Sequence, residues 1–372
     1  MKQMNICYIS NSAAPSKNAS SLQTAKLCEE LSRQGHKVSL ILPRTGELNR
    51  NYFNFYNIKY KFQIIRLKYF KKFPIGFNYY FYSFISIMAS NYRNQNLFIT
   101  RNFFTSFLLS VLNKKHLFEI HDDISIEGRI IKFLVKSIKI LNFTSVLKVI
   151  TTTNSLKKRY INYGIKKDKI HILHNASSLK SKFNKYLKLK KKLNIGYFGS
   201  IYQSRGIEII LKISHVDQKN NYIIYGGDKK EINELKKKYR NKNLFLHSHI
   251  SYSKIKKKLD KIDICILPYT KKITVSGNVG DISRYTSPLK VFDYMKTGKL
   301  IICSNLPVLR EVLKHNSNCL LINKYENINE WLKNINSIKQ NLKKFNKIRC
   351  NAYIYANKFN IHWRIKKIFN SL

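Results

Sequence analysis

The feature of this chain that most limits its fold is an alternation of short apolar runs with amphipathic stretches, played out twice along 372 residues. Apolar runs at 5–9, 37–42, 63–67, 97–100, 116–120, 149–152 and 170–173 have the length of strands and are too short for helices. Helical stretches lie between them, the first over 21–34 and stopped by Gly35-His36. Strands that alternate with helices make a parallel sheet covered by its own crossovers. From 177 to 192 the sequence SSLKSKFNKYLKLKKK has neither period, and a domain boundary is expected there. The alternation then restarts, with strands at 194–197, 222–225, 244–246, 262–267 and 300–303. Helices are expected at 207–213, 229–239 and 252–259, from Lys290 through Met295, and from Glu330 onward. Two doubly wound domains of similar size predict a cleft with ligands at the carboxyl ends of the strands.

Composition narrows the function classes. Lys and Arg number 69 against 20 Asp and Glu, a formal charge of +49, yet 44% of the residues are hydrophobic, which excludes intrinsic disorder as the main state. Such a surface attracts polyanions, whether nucleic acid or an anionic membrane, and composition drift toward Lys is an equal explanation. The cations form no RNP, zinc-finger or helix-turn-helix pattern, so no specific nucleic-acid partner is expected, although a basic nucleic-acid-binding protein stays as an alternative class. Six cysteines without a C-x-x-C pair read as reduced cytosolic thiols. Only Lys2 precedes the first apolar run, so no export signal is expected and the protein is placed in the cytoplasm. Residues 73–92 are uncharged, but Pro74, Gly76 and four tyrosines make them a poor spanning helix. An interfacial helix flanked by Lys68, Lys71, Lys72 and Arg93, and an ordinary buried helix, remain equal readings.

The residues most suggestive of chemistry run from Tyr285 to Asn305. Thr286 or Ser287 can cap a helix whose first turn holds Pro288, Leu289 and Lys290. The free amides of that turn and the helix dipole suit a diphosphate. Asp293, about two turns in, could accept hydrogen bonds from a ribose; the plain alternative is a surface helix with a solvated aspartate. Gly226-Gly227-Asp228 follows a strand but has neither a Walker pattern nor G-x-G-x-x-G, and reads as a tight turn. His247 and His249 lack a third ligand at metal spacing, so no metal site is expected.

The run SPLKVFDYMKTGKLIICSNLPVLREVL, 287–313, resembles the nucleotide-sugar-binding segment of the retaining glycosyltransferases of the GT-B fold, family 4. Weaker markers follow in matching order: Gly35-His36-Lys37-Val38, Glu119-x-His121-Asp122, His174-Asn175-Ala176, Gly196-Tyr197-Phe198-Gly199-Ser200 with Arg205-Gly206, Gly226-Gly227-Asp228, and Asp263 through Pro268-Tyr269. The resemblance implies two Rossmann-like domains, 1–180 on the acceptor side and 190–355 for the nucleotide sugar. A helix at 356–372 would cross back to the first domain, with Trp363 buried against it.

By the same resemblance Arg205 binds the donor diphosphate and stabilises charge growing on the leaving group. A second cation common after the preceding Gly is replaced by Ser200. The ribose acid maps to Asp293, and the first acid of the paired motif maps to Tyr285. Gly227 lies near the base, while Ser287, Pro288, Leu289 and Lys290 form the phosphate turn. His121 is placed near the reacting centre with Asp122, and Ser20 and Ser21 stand where a Gly-Gly loop is usual. The implied activity is transfer of a sugar to a cell-envelope glycan or polyprenyl-linked acceptor, at the inner face of the membrane and without a cofactor or metal. A nucleotide-sugar epimerase of the same fold is the alternative.

Overall fold

The structure, a computed structural model, describes residues 3–68, 75–184, 191–274 and 281–369. Two compact units divide the chain, one of Met1–His174 with Ile361–Leu372 and one of Asn175–Asn360. The first begins β1 (Asn5–Ile9), α1 (Ala19–Arg33), β2 (Lys37–Pro43), α2 (Tyr52–Tyr56), β3 (Gln63–Leu67), α3 (Ile75–Ala89) and β4 (Leu97–Thr100). It continues with α4 (Phe103–Val111), β5 (His116–Ile120), α5 (Arg129–Lys136), β6 (Val146–Thr151), α6 (Asn154–Asn162) and β7 (Ile170–Ile172). The second holds β8 (Asn194–Phe198), α7 (Ile207–Val216), β9 (Asn221–Tyr225), α8 (Lys229–Lys238), β10 (Leu244–His247), α9 (Tyr252–Leu259) and β11 (Ile264–Leu267). After these come α10 (Leu289–Lys296), β12 (Leu300–Ser304), β13 (Leu320–Ile322), α11 (Ile328–Gln340) and α12 (Leu342–Lys358), and α13 (Ile361–Phe369) belongs again to the first unit.

Each unit is built on one parallel sheet, seven strands in the order β3-β2-β1-β4-β5-β6-β7 and six in the order β10-β9-β8-β11-β12-β13. Strands such as Ile264-Cys-Ile-Leu267 are buried along their whole length, as a sheet covered on both faces requires. The strand order reverses between β1 and β4 in one sheet and between β8 and β11 in the other, so the loops leaving those strands part and open a crevice.

Three expectations are corrected. Asp293 sits one turn into α10, because the helix begins at Leu289 and Pro288, rather than Thr286 or Ser287, occupies its cap. The terminal helix is broken at Phe359-Asn360, and the buried side chains of its last part are Arg364, Ile365, Ile368 and Phe369, while Trp363 is half-exposed. α3 satisfies neither reading of residues 73–92 alone. Asn78, Tyr82, Ser83, Ser86 and Ile87 are buried, whereas Phe77, Phe84 and Met88 face solvent. Phe73 and Pro74 lie outside the described residues. No described helix is long and apolar enough to cross a membrane.

Candidate functional site

In the second unit the candidate donor residues gather at the β8/β11 reversal. After β8 the chain turns at Gly199 and reaches Arg205 through a single 3-10 turn. Gly206 holds φ +70°, and a Cβ there would stand 1.6 Å from the Pro268 carbonyl, so only glycine lets these two strand-end loops pass so closely. That approach lays the Arg205 guanidinium 5.1 Å from the centre of the Tyr269 ring, with one Nη donating to the Thr274 carbonyl at 3.0 Å. Its Nε is buried without a hydrogen-bond partner among the described residues.

Lys290, in the first turn of α10, reaches the same place from the other side. Its Nζ donates to the Tyr197 hydroxyl at 3.0 Å and lies over the rings of Tyr197 and Tyr269 at 4.3 and 5.4 Å. Gly199 makes the space, since at φ +145° a Cβ would fall 2.1 Å from that ammonium. Burial, then the neighbouring Arg205, push the Lys290 ammonium well below the usual lysine range. Two basic side chains thus share the ring of Tyr269 as a floor. Ser200 itself offers its carbonyl to the Tyr197 hydroxyl at 2.7 Å.

Asp293 is buried rather than solvated. Its Oδ1 accepts from the Ser177 hydroxyl at 2.6 Å and the Tyr252 hydroxyl at 3.0 Å. Burial raises its carboxyl to about 7, with those two bonds pulling the other way. Tyr285 is buried, Ser287 accepts from Asn175 through its carbonyl, and Pro288, Leu289 and Lys290 are half-exposed at the head of α10. Gly227 adopts φ +68°, and Asp228 closes a capping box with Glu231 on α8. The His247 ring stacks on Tyr225 with centroids 4.6 Å apart.

The first unit places a charged cluster where β5 ends. Glu119 Oε2 accepts from the Tyr8 hydroxyl at 3.0 Å and from Arg101 at 2.9 and 3.0 Å, and Oε1 accepts from Arg364 of α13 at 3.0 Å. Burial opposes ionisation of Glu119, but Arg101 and Arg364 hold its carboxyl well below the usual range. Arg364 also donates to the carbonyls of Leu173 and His174 at 2.6 and 2.8 Å, which ties α13 to the end of β7. His121 Nε2 stands 3.8 Å from Glu119, beyond hydrogen-bond distance, and burial with the Arg101 charge lowers the imidazole to about 4. The imidazole is therefore neutral at pH 7. The Asp122 side chain is exposed, while Asp123 is buried and paired with Arg159. Ser21 is spent within its own loop, donating to the Ala13 carbonyl at 2.8 Å, and Ser20 is half-exposed at the start of α1.

Sequence reasoning missed Arg101, Arg364, Tyr269 and the cationic role of Lys290. Arg101 was findable, because it follows β4 directly at the strand-order reversal. Arg364 was not, since its partner Glu119 lies 245 residues away.

Two parallel sheets, each with polar and charged side chains at its reversal point, define a two-domain α/β enzyme class. Residues 179–355 match the family described as glycosyl transferases group 1, and residues 21–180 match the family described as glycosyltransferase family 4. The chain is a glycosyltransferase of the GT-B fold. Among solved structures, a glycosyltransferase of Rickettsia africae ESF-5 is similar over 100% of this chain and 98% of its own, with 15% identity and a TM-score of 0.74. The Anabaena protein HepE in complex with UDP-glucose is similar over 100% of both chains, with 13% identity and a TM-score of 0.70. A sucrose-phosphate synthase of Thermosynechococcus elongatus is similar over 99% of this chain and 98% of its own, with 14% identity and a TM-score of 0.74. No curated protein matches the sequence.

Proposed function

We propose that the enzyme transfers a sugar, with retention at the anomeric carbon, from a nucleotide-sugar donor to a glycan or polyprenyl-linked acceptor of the cell envelope. The observation that carries this reading is the pair Arg205 and Lys290 over Tyr269 at the β8/β11 reversal. Two fixed cations on an aromatic floor suit a diphosphate, and they oppose the charge that develops as the sugar departs. Such a pair, with the amides that open α10, does the electrostatic work for which other enzymes use a metal ion. HepE, of the same fold, is described with UDP-glucose, which makes UDP-sugars the first donors to try.

In this reading Ser287, Pro288 and Leu289 set the phosphate turn, Gly227 lies by the base, and Tyr285 lines the donor site. The Ser177 and Tyr252 hydroxyls both donate to Oδ1 of Asp293, and Oδ2 is assigned to a ribose hydroxyl. His121, with Asp122, Ser20 and Ser21, is assigned to the sugar and the acceptor. The bond between the anomeric carbon and the diphosphate oxygen breaks as the acceptor hydroxyl attacks from the same face. The departing diphosphate takes the acceptor proton, giving a glycoside and a nucleoside diphosphate. A neutral His121 can accept or donate a hydrogen bond to a sugar hydroxyl without placing a positive charge beside the oxocarbenium-like centre. The envelope acceptor is drawn from the family resemblance together with the cationic surface, and it places the work at the cytoplasmic face of an anionic membrane. An epimerase is disfavoured by the two transferase family matches and by the scarcity of acids in the chain.

The test is release of nucleoside diphosphate by the purified enzyme from UDP-, GDP- and ADP-sugars with a lipid extract as acceptor, followed by NMR of the product. Release that depends on acceptor, with the donor's anomeric configuration kept, is expected. No release from any donor would overturn the transfer, and an inverted product would overturn retention.

A further inference from the structure

The exposed apolar side chains of this protein are not scattered. Of the fifteen large hydrophobic residues exposed among the described residues, ten fall between Phe77 and Phe143, on or beside α3, α4 and α5. The topology explains why they share a face. β1, β2 and β3 progress toward one edge of the sheet, whereas the connections from β3 to β4, β4 to β5 and β5 to β6 progress toward the other. Right-handed crossovers put all three of the latter helices on one side. α4 packs against both α3 and α5, so the three form a continuous layer.

α5 is apolar on two sides. Ile131, Leu134 and Val135 are buried beneath it. Ile126 just before it, then Ile130 and Phe133, recur at helical spacing on its outer face and are exposed by 61, 55 and 57%. On α3 the outward residues Phe84 and Met88 are exposed by 57 and 61%. A globular helix ordinarily turns only one apolar stripe inward, and a contiguous second stripe marks a contact surface.

The charge around these stripes is predominantly positive. Residues 48–118 contain no aspartate or glutamate, and neither do residues 128–167. Arg129, Lys132 and Lys136 lie along α5 between its exposed apolar residues. Glu127, the acid nearest the stripe in sequence, has its carboxyl raised by burial and then by Asp122. Apolar side chains that insert, interleaved with cations that meet headgroups, are the chemistry of an interfacial helix on an anionic bilayer. Nucleic acid would use the cations but leave isoleucine, phenylalanine and methionine without a partner.

We infer that the outer face of the α3–α4–α5 layer is the surface by which the first unit docks on an anionic lipid bilayer, with Phe84, Met88, Ile130 and Phe133 inserted and Arg129, Lys132 and Lys136 at the headgroups. This deepens the proposed membrane contact and rests on the transferase reading only for its purpose.

The experiment is flotation of the full-length protein with phosphatidylglycerol-containing and pure phosphatidylcholine vesicles, across 0.05 to 0.5 M salt. Wild type is expected to bind the anionic vesicles, with binding that falls but does not vanish as salt rises. Ile130→Ser/Phe133→Ser should lose the salt-resistant part, lowering the partition coefficient by on the order of tenfold. Lys132→Glu/Lys136→Glu should lose the salt-sensitive part by a similar factor. Ile130→Ser/Phe133→Ser should keep the wild-type melting temperature, because both side chains are exposed; Lys132→Glu/Lys136→Glu, which also removes the Lys136 contact with the Tyr163 ring, is read well below its own melting temperature. Failure of wild type to bind anionic vesicles, or binding by both variants equal to wild type, would overturn the inference. So would a lipid-free dimer that Ile130→Ser/Phe133→Ser dissociates, since the face would then belong to a second copy. Nucleotide-sugar turnover in the same preparations is read separately. Vesicle binding without turnover leaves the docking face and removes the transferase, and turnover without vesicle binding does the reverse.

Discussion

Asp293→Asn turns the buried carboxyl of α10 into a measurable slope of stability against pH. In the folded protein burial raises this carboxyl from the ordinary 3.8 to about 7. The folded chain therefore keeps a proton that the unfolded chain has lost, and stability falls as pH rises from about 4 to about 7 and is level above that. Each unit of that interval is worth about 1.4 kcal/mol. Between pH 5 and 8 wild type should thus lose about 3 kcal/mol relative to the variant. Asparagine keeps an oxygen for the Ser177 and Tyr252 hydroxyls, so the packing is preserved while the titration disappears. The second unit can be followed alone, because the chain has two tryptophans and Trp331 is buried in that unit; a Trp363→Phe background removes the other signal. Urea unfolding read by Trp331 fluorescence gives the two stability curves. Histidines with lowered values, such as His247 and His315, titrate identically in both proteins and cancel in the difference. Curves that run parallel from pH 5 to 8 would refute the raised carboxyl and the tightly buried setting that causes it.

Further expectations concern the two charge clusters. Arg205→Ala should lower turnover by on the order of 10²-fold or more with the fold intact, because its charge is needed most as the diphosphate departs; near-normal turnover would remove it from the site. Nucleotide binding should be accompanied by proton uptake that grows as pH is raised, since a diphosphate opposes the burial and the Arg205 charge that lower the Lys290 ammonium; calorimetry in buffers of different ionisation enthalpy reads this, and it should vanish in Lys290→Met. Arg364→Met should destabilise the first unit by roughly 3 kcal/mol, the cost of leaving a buried carboxylate short of a partner, and nucleotide binding to the second unit should persist. An unchanged melting profile would show that Glu119 is satisfied by Arg101 alone.

The sheets were legible in the sequence because buried parallel strands are written as continuous apolar runs. The expected strand at 5–9 coincides with β1, and those at 97–100 and 116–120 with β4 and β5. β13 escaped notice, as three residues, Leu320–Ile322, carry too little pattern to stand out from a loop. The candidate site was legible only in part. Arg205 and Lys290 stand in recognisable local motifs, but nothing local brings Lys290 onto the ring of Tyr197, 93 residues away. Asp293 stands on the expected helix, but its burial against Ser177 and Tyr252 was not legible, because both reach it from distant parts of the chain. Trp363 was expected to anchor the last helix by apolar burial, whereas Arg364 does so through a buried ion pair and two carbonyls. Polar networks closed over long separations leave no periodicity to read.

The most direct measurement is calorimetric titration of the purified protein with UDP-glucose and its GDP and ADP counterparts, repeated with Arg205→Ala and Lys290→Met. Saturable binding of one nucleotide class to wild type, weakened by on the order of tenfold or more in both variants, is the expected result. Failure of all three classes to bind, or equal binding by the variants, would contradict a donor diphosphate held between Arg205 and Lys290.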